Sequence, residues 1–216
     1  MVGCYRRLCR HCVIHMADRN GNEIIRSRAL SSGPVGHDRY RGGLMNVLVV
    51  GVGNILMGDD GVGVRVVHEI SRRFHLPEGV EILDGGTSGL ELLSYFSDRE
   101  LVIIVDAVKS GLPPGTVVKV EGEDVPARFM TKISPHQLGL SDVLAAARIT
   151  GKLPKKMALF GIEPRRVELR LDLSEEVATN FEKLIDTVRN ELERSGCLLK
   201  PRTGSEHEGK NIWDNR

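Results

Sequence analysis

Seven polar residues of this chain have types and positions that could serve one chemistry: Asn54, Asp59, Asp60, Asp84, Thr87, Asp106 and His136. Asp59 and Asp60 stand side by side in "GVGNILMGDDGVG", a glycine-rich turn that follows the apolar run "NVLVV". Such turns often hold a phosphate on backbone amides at a helix N-terminus. Here the doubled carboxylate opposes an anion and invites a cation. Two carboxylates and one imidazole make a reasonable ligand set for nickel, zinc or manganese, and donor type alone does not choose among them. Each residue also has a plainer role open to it. Asp59 or Asp60 could cap the helix that begins near Gly61. Asp106, after the buried run "LVIIV", could make a structural hydrogen bond. Asp84-Gly85-Gly86 is first of all a tight turn. His136 alone reads as a loop histidine, and His68 and His75 read as surface.

These residues converge only if the elements before them are parallel strands. "NVLVVG" (46–51) and "LVIIVDAV" (101–108) are continuous apolar runs, as expected of strands buried on both faces. "VEIL" (80–83), "GTVVKV" (115–120) and "KMALFGIEP" (156–164) complete the strands. Helices are predicted over 61–74, 88–96, 137–151 and 173–196, the last with Ser174 as N-cap and Gly196 as its stop. Alternating strands and helices imply an α/β fold, a three-layer α/β/α sandwich around a mainly parallel twisted sheet. In such sheets ligands bind outside the carboxyl ends of the strands, where all seven residues fall.

The 216 residues fit one domain with extensions. Hydrophobic residues make up 41% and charged residues 27%, enough for a soluble core. No apolar run approaches the ~18–20 residues that span a bilayer, so no membrane role is expected. Residues 1–44 differ from the rest. They hold eight arginines, no lysine and three acids, a net charge of +5 that leaves −4 for the remainder of a chain with net charge +1. The acidic body has no basic stripe for nucleic acid. Three of the four cysteines crowd at Cys4, Cys9 and Cys12, which could be a zinc half-site with His11 and His15, but the spacings fit known sites poorly. We therefore expect a disordered, unrelated extension over 1–44, one domain over 45–201 and a polar tail over 202–216. With no disulfide framework, the expected location is cytoplasmic.

A dinucleotide-binding oxidoreductase is the weaker alternative. Leu56 occupies the place of the third glycine of the fingerprint, and a pyrophosphate would face Asp59 and Asp60. No bound nucleotide is expected. The chain also lacks the HExxH helix of zinc proteases and the Gly-x-Ser-x-Gly elbow of serine hydrolases.

Taken together, "GVGNILMGDDGVGVRVV", "EILDGGTSGLELL", "VIIVDAV" and "ISPHQLGLSDVLAAARITGKLPKKMALFGIEP" resemble the hydrogenase maturation proteases, from about Met45 to about Pro201. The resemblance implies an endopeptidase that removes a C-terminal peptide from the large-subunit precursor of a nickel-iron hydrogenase after nickel insertion. It maps the family's acidic residue, strand-end aspartate and loop histidine onto Asp60, Asp106 and His136, as catalytic and metal-sensing residues. Some members have Glu at the first position, so Asp60 is a shorter variant. The turn Asp84, Gly85, Gly86 and Thr87 is linked to substrate recognition. Nickel would come with the substrate rather than be held permanently. A non-catalytic nickel-sensing chaperone of the same precursor is the competing reading.

Overall fold

The structure, a computed structural model, describes residues 13–17, 23–27, 45–122, 125 and 135–202, with side chains from residue 45 onward except 135–139. Seven strands form one sheet: β1 (Val13–Ala17), β2 (Glu23–Ser27), β3 (Val47–Val52), β5 (Val80–Gly86), β6 (Leu101–Ala107), β7 (Val117–Glu121) and β8 (Lys156–Ile162). Their order is β1-β2-β7-β8-β6-β3-β5. The centre, β8-β6-β3-β5, is parallel throughout, whereas β7 is antiparallel to β8. Two short strands, β4 (Phe74–His75) and β9 (Lys200–Pro201), pair separately. The helices are α1 (Val62–Arg73), α2 (Leu93–Phe96), α3 (Pro135–Ile149), α4 (Glu175–Thr179) and α5 (Phe181–Arg194).

Strand alternation divides the core into two layers. Val47 and Val49 of β3, with Ile103 and Val105 of β6, pack with Val66 and Ile70 of α1 and Leu184 and Val188 of α5. Leu48, Val50, Val102 and Ile104 face the other way, onto Phe96 of α2 and Leu140, Val143 and Leu144 of α3. Both faces of the central strands are covered, which explains their unbroken apolar sequence. The expected mainly parallel α/β/α sandwich is therefore the observed fold.

Three details differ from the sequence reading. The helix expected over 173–196 is two helices that meet at Asn180. The segment 88–96 is a single 3₁₀ turn, Leu90–Leu92, leading into the short α2. Pro135 opens α3, so His136 lies in its first turn rather than in a preceding loop. Proline suits that first position because its missing N–H has no intrahelical acceptor there anyway. Before Met45, where a disordered extension is expected, the described residues are those of β1 and β2. They pair with each other, and β2 pairs with β7 through Glu23↔Val118 to Ile25↔Val120. The physical reason is the edge of β7, whose backbone groups beyond β8 need partners. The expected tail over 202–216 and the cysteine cluster lie outside the described residues, apart from Arg202.

Candidate active site

The site is built on the turn from β3 into α1. Gly53 adopts φ +121°, and a Cβ there would stand 1.9 Å from the Asp60 carbonyl oxygen. A side chain is therefore excluded twice, by conformation and by space. The turn then folds back on itself: Met57 N–H donates to Asn54 O (2.9 Å), and Leu56 N–H donates to Asn54 Oδ1 (2.9 Å). One 3₁₀ turn, Gly58–Gly61, carries the two aspartates into α1. At Gly63 a Cβ would stand 2.1 Å from Val105 O and 2.6 Å from Val52 O. The start of α1 thus rests directly on the ends of β6 and β3, which sets the height of Asp60 above the sheet.

Asp59 and Asp60 are both buried but differ in role. Asp59 Oδ2 accepts N–H donors from Arg165 (2.9 Å) and Arg166 (3.1 Å) and the Ser174 hydroxyl (2.8 Å), and its Oδ1 accepts Ser174 N–H (2.7 Å). It pins both ends of the segment between β8 and α4. Ser174 stands at the expected N-cap, yet its hydroxyl is turned to Asp59 rather than to the helix. Asp60 Oδ2 accepts Asn54 N–H (2.8 Å) and lies at the positive end of α1. That bond also answers the nucleotide alternative: the amide a phosphate would use is engaged by the protein's own carboxylate.

Asp106 is fully buried on β6, in register with Gly161 of β8 and one residue beyond Val105, the partner of Gly51. The carboxylates of the β3 turn and of β6 therefore share the carboxyl edge of the parallel strands. His136 belongs to α3, which ends near the amino edge of β8, since Lys152 N–H still bonds Ala147 O before β8 begins at Lys156. A 15-residue helix is roughly 22 Å long, so its first turn lies toward the carboxyl edge. The His136 side chain lies outside the described residues. Among the described residues no three His, Cys, Asp or Glu side chains form a metal cluster by themselves.

The Asp84–Thr87 turn adjoins the same loop. Asp84 Oδ1 accepts Gly86 N–H (3.0 Å), and Gly86 O accepts Gly53 N–H (2.8 Å). Gly85 is buried against Val50 and Val52, while Thr87 is exposed. His68, read from sequence as a surface residue, places Nε2 2.8 Å from Asp84 Oδ2 and so ties the turn to α1. Glu163 was not singled out. It is buried at the end of β8 and accepts Ser110 N–H (2.6 Å) and the Ser110 hydroxyl (2.5 Å), bracing the loop that follows Asp106. Its signal was available: like Asp106, it is an acid directly after a buried strand. A cavity of about 600 Å³ lies at the opposite edge, lined by Leu101, Lys156 and Glu191 among others, and holds none of these acids.

The structure is an α/β fold that gathers acidic side chains at the carboxyl edge of a parallel sheet. A model of the hydrogenase maturation protease family matches residues 64–191. The Hydrogenase 2 maturation protease of Escherichia coli (strain K12) is 47% identical over 159 residues, 73% of this chain and 97% of that one. The structure of the hydrogenase maturating endopeptidase HybD from E. coli superposes with a TM-score of 0.71 at 47% identity, over 73% of this chain and 98% of that chain. The [NiFe] hydrogenase maturation protease HybD from Thermococcus kodakarensis gives 0.55 at 27% identity, over 68% and 99%. This chain belongs to the hydrogenase maturation protease family and is a peptide hydrolase. No helix among the described residues is long and apolar enough to cross a membrane.

Proposed function

We propose that this protein removes a C-terminal peptide from the nickel-loaded large-subunit precursor of a nickel-iron hydrogenase, and that Asp60, Asp106 and His136 meet the substrate's nickel. The observation that carries the reading is the difference between the two adjacent acids. Asp59 is saturated by four hydrogen bonds from the chain, whereas Asp60 is held at a helix start on the edge it shares with Asp106. A divalent ion carried by the partner would add positive charge beside these carboxylates, and oxygen and nitrogen donors suit nickel.

Hydrolysis needs a water proton to be accepted as oxygen adds to the carbonyl carbon, and a proton to reach the nitrogen as the C–N bond breaks. The chain offers carboxylates for the first task and His136 for either. Bound by the substrate, nickel adds Lewis acidity. The exposed Asp84–Thr87 turn, joined through Gly86 and Gly53 to the Asp60 loop, is positioned to read the precursor beside the cut.

The test compares nickel-loaded and nickel-free precursor, matched in folding, by mass spectrometry. Nickel-loaded precursor is shortened at least ~10²-fold faster, a difference that requires only about 2.7 kcal/mol of differential interaction. Asp106→Asn and His136→Ala each abolish shortening while the melting temperature is retained. Equal rates with and without nickel exclude metal sensing and leave a plain hydrolytic constellation.

A further inference from the structure

Two loops beside Asp60 expose apolar side chains that neither core uses. In the β3–α1 turn, Ile55 is 39% and Leu56 50% exposed; in the β8–α4 segment, Val167 is 36%, Leu169 82% and Leu171 64% exposed. Backbone bonds make the two loops one surface. Arg170 N–H donates to Leu56 O (2.9 Å), Gly58 N–H donates to Arg170 O (2.8 Å), and Met57 and Arg170 form a parallel bridge. The Arg65 guanidinium spans both loops, donating to Ile55 O and Leu171 O. Because Asp59 clamps the segment at Arg165, Arg166 and Ser174, the leucines sit on a frame fixed to the residue next to Asp60. This is apolar surface placed at the site, not a loop left slack.

Its chemistry indicates what would cover it. The charged side chains of the segment pair with one another: Glu168 pairs with Arg166 (3.3 Å) and Arg170 (3.5 Å), and Arg165 pairs with Glu176 (3.6 Å). Each of the three arginines has an acidic neighbour, so contact at the exposed leucines is carried by apolar burial. An apolar patch of this kind on a soluble protein marks an interaction surface. The molecule that must approach this edge is the one whose peptide bond is cut.

We infer that Leu56, Leu169 and Leu171, flanked by Ile55 and Val167, form a docking surface for an apolar segment of the precursor next to its scissile bond. The inference rests on the proposed function. It adds a contact that holds the substrate without touching the reacting atoms, and it differs from the Asp84–Thr87 turn in being apolar.

The test uses the full chain and nickel-loaded large-subunit precursor. A Leu169→Ser/Leu171→Ser variant raises KM, and Kd measured by calorimetry, about ten-fold or more, as loss of buried leucine contacts predicts. Its kcat and melting temperature stay at the wild-type values, because the two side chains support no core. Ile149→Ser removes an equally exposed side chain (85%) from the far end of α3 and changes neither constant. Wild-type KM and Kd in the double variant overturn the inference, as does a wild-type protein that does not bind the precursor. It is also overturned if ultracentrifugation shows a wild-type dimer that the double variant dissociates while KM is unchanged. If the wild type binds but does not cut, and the double variant weakens binding, the surface stands and the proposed proteolysis fails.

Discussion

The two adjacent residues of the "DD" pair are alike in chemistry and differ in the donors that geometry brings to each. Asp59 receives four donors, three of them backbone N–H groups from a segment more than a hundred positions away. Removing its carboxylate leaves the two buried donors of Ser174 and the part-buried amides of Arg165 and Arg166 without this acceptor. Asp59→Ala should therefore lose about 3 kcal/mol or more of stability. Asp60→Asn keeps the size of the side chain and should lose less than about 1 kcal/mol while abolishing precursor shortening. Urea unfolding beside the processing assay measures both. Equal stability of Asp59→Ala and wild type would show that the clamp on the β8–α4 segment is dispensable.

Elements must also hold the site rigid, and on one face α1 is fastened to α5 by charge. Arg73 makes a bidentate pair with Glu182 (2.6 and 2.7 Å) and reaches Glu69 with its Nε (2.7 Å). Arg72 chiefly, with Arg73, holds the Glu69 carboxyl below the usual carboxylate range, and Arg73 does the same for Glu182. Both folded-state values are depressed, so the stabilisation is complete above the unfolded carboxylate range, about pH 4.3, and is lost as pH falls through the lower folded values. Arg73→Ala should lower stability by about 1 kcal/mol at neutral pH, the scale of a well-formed but partly exposed pair. That deficit should shrink as pH falls below about 4.3 and through the lowered folded values of the two glutamates. Urea titrations at neutral and at acid pH check it, and a constant deficit would mean that Arg73 acts through packing instead. Cys197, by contrast, is buried, and burial pushes its thiol up, away from the reactive thiolate form.

At the scale of the molecule, the described residues of both cores run from Val47 to Leu199. We propose that residues 45–201 fold as one domain and that β1 and β2 serve mainly to cover the edge of β7. A chain truncated to begin at Met45 should then keep the melting temperature and the processing rate of the full chain. Its bared β7 edge should make it aggregate at lower concentration, as light scattering would show. Failure of the truncated chain to fold would make the first 44 residues part of the domain.

The sequence by itself determined the layers, the parallel centre and the edge at which the acids lie. Apolar runs such as 101–108 are legible because burial on both faces leaves no polar position in them. Asp106 was legible for the converse reason, that a carboxylate at the end of such a run needs a partner, and Asp60 because a doubled carboxylate in a glycine-rich turn opposes an anion. Tertiary structure alone gave Asp59 its clamp, since its donors arrive from Arg165, Arg166 and Ser174. It alone joined His68 to Asp84, broke the last helix at Asn180, and set Leu56 beside Leu169 and Leu171. Periodicity in a sequence reports what a side chain faces locally. Contacts between distant segments depend on how loops cross one sheet edge, and no local pattern encodes that crossing.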